Sequence, residues 1–318
     1  MSAINELSSL RQRRPKSASE RRQRRKEEGR DNKAGYLFLL PWLIGLLAVT
    51  LGPMAASLYL AFTDYSLLKA PQWTGLDNIE RMIHDERLHT SLVNTFVFVF
   101  VSVPLQLMLA LLIAMALNKG LRGLALYRSV FYLPSLLGGS VAIAVLWRQM
   151  FGSEGLFNQV LGAFGIDSSI GWISDPTFAL SSIILLNVWT FGAPMLIFLA
   201  GLRQIPEMYY EAAKVDGATR WVVFSRITLP MLSPIIFFNL VLQIIGSFQA
   251  FTQAFVVSGG SGGPSDSTLF FTLYLYQRGF GQFEMGYASA MAWLLLIIVA
   301  AFTAINFLLS KFWVFYDD

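Results

Sequence analysis

The sequence contains no cysteine and only two histidines, His84 and His89, among its 318 residues. Without thiols neither a disulfide framework nor a thiolate metal site is possible. Two histidines in one polar stretch give a histidine metal centre or a catalytic triad little to work with. Charge is scarce too: Asp, Glu, Lys and Arg make up 14% of the chain, against about 25% in an ordinary soluble domain. No GxxxxGK[ST] phosphate loop occurs, and the glycine-rich run at 259–264 lacks the lysine such a loop needs. The long apolar runs hold no carboxylate or histidine in their interiors; Arg148 and Glu284 sit at run edges. That counts against a proton- or sodium-coupled carrier, which places carboxylates in mid-membrane to bind the coupling ion. It also counts against an intramembrane enzyme, which needs a paired acid or a Ser/His constellation there.

What the chain has in abundance is apolar length. Hydrophobic residues are 55% of the total, and they fall in blocks long enough to cross a bilayer core, which takes ~20 helical residues. Six such segments run from about Tyr36 to Phe62, Leu92 to Leu117, Val130 to Met150, Phe178 to Leu202, Met231 to Val257 and Met285 to Ser310. Pro41, Pro53, Pro104, Pro194 and Pro234 lie in or at the ends of these segments and predict kinks, because neighbouring helices can satisfy the carbonyls proline frees. The fold class expected is therefore all-α integral membrane with six transmembrane helices, occupying residues 36–312.

The loops orient it. Residues 1–35 carry eleven Lys/Arg, including Arg21, Arg22, Arg24, Arg25 and Lys26. This tail has neither a folded basic surface nor interleaved aromatics, so it does not read as a nucleic-acid module. It reads as a disordered cytoplasmic tail that touches anionic lipid headgroups, and it does not have the form of a cleaved signal peptide. With the tail inside, Lys119, Arg122, Arg128, Arg203, Lys214, Arg220, Arg226 and Lys311 also fall inside, and only Lys69, Arg81, Arg87 and Arg278 fall clearly outside. The positive-inside rule then puts both termini, including a short C-terminal end at 313–318, in the cytoplasm. Of the outer loops, 63–91 is polar, 151–177 suits short interfacial helices, and Gly-Gly-Ser-Gly-Gly-Pro at 259–264 reads as a flexible turn.

The most informative stretch is the inner loop at 203–230. Pro206 can open a helix, Glu207 favours its N-terminal dipole, and Asp216-Gly217 can stop it. A second short helix is expected from Thr219 to Ile227, ending near Pro230. Small Ala212 and Ala213 would let a partner's groove come close, with Tyr209, Tyr210 and Trp221 as anchors. Glu211-Ala212-Ala213, three residues, Gly217, nine residues, then Ile227-x-Leu229-Pro230 resembles the EAA loop of binding-protein-dependent ABC importer permeases. Trp172-Ile173-Ser174-Asp175-Pro176 and Gly201-Leu202-Arg203-Gln204-Ile205-Pro206 resemble the sugar-importing, MalF/UgpA-like branch, as do the Gly-Gly-Pro loop before Leu273-Tyr274-Leu275-Tyr276, Leu39-Leu40-Pro41 and Phe62-Thr63-Asp64-Tyr65.

The resemblance implies the type I ABC importer transmembrane-domain fold in the bacterial inner membrane. It also implies a second, homologous permease subunit, two ATPase subunits that bind the ATP and Mg, and an extracytoplasmic solute-binding protein at the outer loops. No cofactor or metal is expected in this chain. ATPase coupling would fall to Glu211, Ala212, Ala213, Asp216, Gly217, Arg220 and Pro230. For the substrate pathway, polar residues inside spans normally face the bundle or a water-filled cavity. Asn187, Trp189 and Thr190 are candidates in span four, and Gln243, Ser247, Gln249 and Gln253 in span five. Asn187-x-Trp189 and the span-five set resemble the sugar-lining positions of the maltose-type permease, although Ala250 stands where that permease has a polar residue. Ordinary interhelical hydrogen bonding uses the same residue types. The same coupling loop also serves permeases for amino acids or glycerol-phosphate compounds, which remain the alternative substrate classes.

Overall fold

A computed structural model describes residues 36, 38–120, 123–166 and 169–315. The basic tail and the last three residues, 316–318, lie outside them. The chain divides into two compact units at Tyr59/Leu60.

Among the described residues the first unit consists of helix α1 (Phe38–Leu60), 23 residues long, whose last residue opens the second unit. Leu46–Leu51 within it is wound as a π-helix, and the N–H of Gly52 donates to the carbonyl of Leu47, five residues back. The wider turn falls immediately before Pro53, whose ring would otherwise press on the carbonyl four residues earlier.

The second unit opens with a hairpin, β1 (Thr63–Ser66) and β2 (Lys69–Trp73), that the polar outer loop did not announce. Helix α2 (Asp77–His84) follows, then Asp85, whose carboxylate accepts the N–H groups of Arg87 and Leu88 and so caps α3 (Glu86–Leu117). At 32 residues, α3 is about 48 Å long, well beyond the segment from Leu92. It buries Leu88, Ser91, Thr95, Phe98, Val99, Ser102, Gln106, Ala110, Ala114 and Leu117. Steps of three and four make this one helical stripe, and its polar members face inward with the apolar ones.

Spans three and four are broken. Helices α4 (Leu124–Leu137) and α5 (Val141–Met150) meet at 95°, so the single straight span expected over 130–150 is not formed. Ser140 is the cause at sequence level: its hydroxyl accepts the N–H of Ile143 and starts a new helix after Gly138-Gly139. A short helix, α6 (Leu156–Ala163), then follows. Helices α7 (Pro176–Trp189) and α8 (Gly192–Leu202) bend by 41° at Thr190–Phe191. Backbone groups freed by a break inside a bilayer must be satisfied by the protein. Here the carbonyl of Thr190 accepts from Gln106 Nε2 at 3.1 Å and from Ser135 Oγ at 2.7 Å. Ser135 Oγ in turn accepts the N–H of Ala193 at 2.8 Å.

After the inner hairpin helix α9 (Glu207–Val215), helix α10 (Arg220–Phe248) runs unbroken for 29 residues. The separate short helix expected at 219–227 is thus the first two turns of span five. Proline at 230 does not stop it, because Phe224–Thr228 is a π-turn in which the N–H of Leu229 reaches back five residues to Phe224. At the other end the span stops at Phe248 rather than Val257; Gln249–Phe251 is irregular and α11 (Thr252–Val257) restarts. The short helix α12 (Phe271–Tyr276) and the long α13 (Met285–Trp313) follow. Phe96, Phe248 and Phe302, with ring centroids 5.5–5.7 Å apart, join α3, α10 and α13. Among the described residues four helices are long and apolar enough to span a membrane, and up to six spans result when each bent pair counts as one.

Candidate functional site

The hairpin at 203–230 is built by local rules. Pro206 is extended (φ −60°, ψ 133°) and delivers the chain to α9, with Glu207 in its first turn and Lys214 in its last, both favourable to the helix dipole. The end of α9 is a Schellman closure: the N–H of Gly217 donates to the carbonyl of Lys214 (3.2 Å) and that of Ala218 to Ala213 (2.9 Å). Gly217 takes φ +72°, which the motif demands. Thr219 Oγ1 accepts the N–H of Val222 and caps α10, and Tyr210 Oη lies 3.3 Å from Thr228 Oγ1 across the two legs.

This geometry leaves Glu211, Ala212, Asp216, Gly217 and Arg220 exposed and sets Pro230 inside the span, just past the π-turn. Ala213 is buried, so of the two small residues only Ala212 is open to a partner. Three large apolar side chains are largely exposed: Met208 is 67% exposed, Trp221 72%, although its ring packs 5.7 Å from that of Phe224, and Val215 88%. Tyr209 is exposed, whereas Tyr210 is half-buried and belongs to the hairpin's own packing. A cavity of about 310 Å³ separates the hairpin from the ends of α3 and α8, lined by Met115, Asn118, Leu202, Tyr210, Arg220 and Phe224 among others.

The span-four and span-five candidates behave differently. Asn187 Nδ2 donates to Ser102 Oγ at 3.0 Å, an interhelical bond to α3. Thr190 is occupied by the helix break: its hydroxyl donates to the carbonyl of Asn187 (2.7 Å) and accepts from Gln106 (3.0 Å). Trp189 packs its ring 5.9 Å from that of Trp147. By contrast, no hydrogen bond within the described residues occupies the side chains of Gln243, Ser247, Gln249 or Gln253. Gln243 and Ser247 lie on one face of α10, and Gln249 and Gln253 flank the corner where α10 gives way to α11. Among the described residues no three His, Cys, Asp or Glu side chains come together to hold a metal ion.

A third constellation was not visible in the sequence. Asp85 Oδ2 accepts from the hydroxyls of Tyr274 (2.6 Å) and Tyr287 (2.7 Å) and lies 3.4 Å from Arg278 Nη2. Arg278 also donates to Tyr274 Oη and pairs with Glu284, which Arg81 clamps through both oxygens at 2.9 Å. Arg87 and Asp266 form a separate bidentate pair at 2.7 and 2.8 Å. The side chains of Asp85 and Arg278 are only 10% and 18% exposed. Burial pushes the Asp85 carboxyl up, but hydrogen bonds from Tyr274, Tyr287 and the Leu88 N–H, with the Arg278 charge, outweigh it and hold it below its ordinary value. Burial and the bond to Asp85 push the Tyr274 phenol up to about 12. The glycine-rich loop beside this network is pinned rather than loose: Gln277 Nε2 donates to the carbonyl of Gly260 (2.8 Å) and Thr268 Oγ1 to that of Gly262 (2.7 Å). Trp172 and Asp175 are likewise structural, donating to Asn158 Oδ1 and capping α7 respectively.

Residues 86–313 match the family described as "Binding-protein-dependent transport system inner membrane component". The chain is 52% identical to the probable ABC transporter permease protein YesP of Bacillus subtilis over 290 residues, covering 91% of this chain and 94% of that protein. It is 33% identical to the lactose transport system permease protein LacF of Rhizobium radiobacter over 282 residues, 87% of this chain and 94% of that one. The fold is similar to that of a chain in the crystal structure of a bacterial alginate ABC transporter in complex with an alginate pentasaccharide-bound periplasmic protein. The TM-score is 0.75 at 23% identity, over 90% of this chain and 96% of that chain.

Proposed function

The chain belongs to the binding-protein-dependent transport system inner membrane components, and from that premise we propose that it forms half of the translocation pathway of an ATP-driven sugar or oligosaccharide importer. The observation that carries this reading is the hairpin at 203–230, a helix–turn–helix closed by its own hydrogen bonds that leaves Met208, Val215 and Trp221 largely exposed. Exposed apolar anchors on a rigid, polar-flanked hairpin suit a groove on another protein. ATP and Mg would be bound there, on two ATPase subunits, and closure of that pair would bias the permease between inward- and outward-facing states through α9. A homologous second permease completes the pathway, lipid covers the outer apolar surface, and a solute-binding protein docks on the outer side. Both termini are placed in the cytoplasm on the distribution of Lys and Arg.

A neutral sugar suits the span-five set. Amide groups donate to and accept from hydroxyls, and Gln243, Gln249 and Gln253 have both capacities free. Relatives whose names specify lactose and trehalose/maltose support the substrate class. The individual sugar is set largely by the binding protein.

Gln243→Ala is expected to slow sugar uptake by the reconstituted complex several-fold with assembly unchanged. Asn187→Ala removes an interhelical bond worth about 0.6–1.7 kcal/mol and is expected to lower thermal stability as well as uptake. Uptake assays in proteoliposomes and melting of the purified complex check both. Wild-type uptake kinetics in both variants would remove these residues from the pathway.

A further inference from the structure

The span-five corner is held in place from outside the span. Helix α10 ends at Phe248, and the N–H groups of Gln249 and Ala250 bond back to Gly246 and Ser247, both at 3.2 Å. The carbonyl of Ala250, left over by the break, accepts from Thr272 Oγ1 at 2.5 Å. Thr272 is the second residue of α12, and α12 is held on either side of it. At its start the N–H of Phe271 donates to Thr95 Oγ1 of α3 at 2.9 Å. One turn on, Tyr274 donates to Asp85, the residue that caps α3 and also binds Tyr287 and Arg278. Phe271, Leu273 and Tyr274 are at most 1% exposed, so α12 has no room to slide along α3.

We infer that Thr272 is a positioning residue for solute recognition: it transmits the register of the Asp85-anchored helix α12 to the Ala250 carbonyl, and so fixes the backbone that presents Gln249 and Gln253. The inference rests on the reading of those two glutamines as pathway residues. Recognition of a hydroxyl-rich solute by free amides requires their backbone to be fixed beforehand, since ordering it on binding costs affinity. The corner has no regular helix to do this, and Thr272 is the side chain that bonds its leftover carbonyl.

Thr272→Val and Thr272→Ala remove the donor, the first with little change of shape, and Thr272→Ser restores it. The assembled complex is assayed in proteoliposomes with saturating sugar-loaded binding protein, for two transported sugars of different size. Transport rate and ATP hydrolysis are measured together. The expected result is a shift of about three- to tenfold in the rate ratio of the two sugars, with less sugar moved per ATP, in Val and Ala, and a wild-type ratio in Ser. An unchanged ratio in Val and Ala overturns the inference. So does an equal loss of both sugars and of ATP hydrolysis that Ser does not rescue, since that is a merely structural role. A Gln249→Ala/Gln253→Ala double variant separates the two failures. If it discriminates sugars as wild type does, the pathway reading fails and the positioning role with it; if it alters discrimination while Thr272→Val does not, only the positioning role fails.

Discussion

A Gly217→Val permease inserts into the membrane and assembles, but imports no solute above background. The residue takes φ +72°, and a Cβ built there meets nothing within 4 Å, so the defect is not a clash. It is the backbone: an L-residue in the left-handed region costs roughly 1–2 kcal/mol, and a β-branched one more. The cheap escape is to leave that region, which breaks the bonds from Gly217 to Lys214 and from Ala218 to Ala213. The start of α10 then swings relative to α9, and Trp221 no longer stands in fixed register with Met208 and Val215. Stability of the buried bundle is untouched, because the hairpin lies at its inner end. Asn tolerates the left-handed conformation, so uptake and substrate-stimulated ATP hydrolysis should fall in the order Gly, Asn, Ala, Val. Normal transport by the valine variant would remove this turn from the coupling path.

Gly192→Ala has the opposite character, a loss of the folded protein itself. A Cβ at 192 would lie 2.3 Å from the carbonyl oxygen of Phe131, 2.7 Å from Tyr132 Cα and 3.0 Å from Ser135 Oγ. Two of these are backbone atoms and cannot rotate away, so α8 must separate from α4. Overpacking of this kind costs about 1–3 kcal/mol. Separation also pulls Ser135 from the Thr190 carbonyl, which keeps only Gln106, and from the Ala193 N–H, which loses its partner in the bend. Size-exclusion of the detergent-extracted complex should show little or no monodisperse material. Gly201→Ala is the control: its nearest contacts are the side-chain ends Ile235 Cδ1 at 2.1 Å and Leu232 Cδ2 at 3.0 Å, which can rotate, and it should remain largely folded.

The contrast between these glycines marks what was legible in the sequence. Gly217 follows a helix and an aspartate, and its role is a local one that chain chemistry announces. The same holds for Pro206, for Asp175 before Pro176, and for spans whose length the bilayer dictates. Gly192 sits in an apolar run, and what makes it indispensable is the carbonyl of a residue 61 positions earlier. The bend at 190–191 was hidden for the same reason: its freed backbone groups are met by Gln106 and Ser135, 84 and 55 residues from Thr190. Pro230 reads as a stop, but a π-turn absorbs it. The Asp85 network joins residues 189 and 202 positions apart, and no spacing rule reaches that far. Among the polar span residues, composition alone does not separate Asn187, bonded to Ser102, from Gln243, whose amide is free.

The absence of cysteine that opens the sequence offers the most direct test, because a single introduced thiol is unique in this chain. Ala212→Cys places it on the exposed face of α9, beside Met208 and Val215. In the assembled transporter a short thiol–amine cross-linker should join this cysteine to the ATPase subunit, and a membrane-impermeant thiol reagent added from outside should not reach it. An intact complex that gives no such adduct, or a cysteine at 212 labelled from outside, would contradict the account.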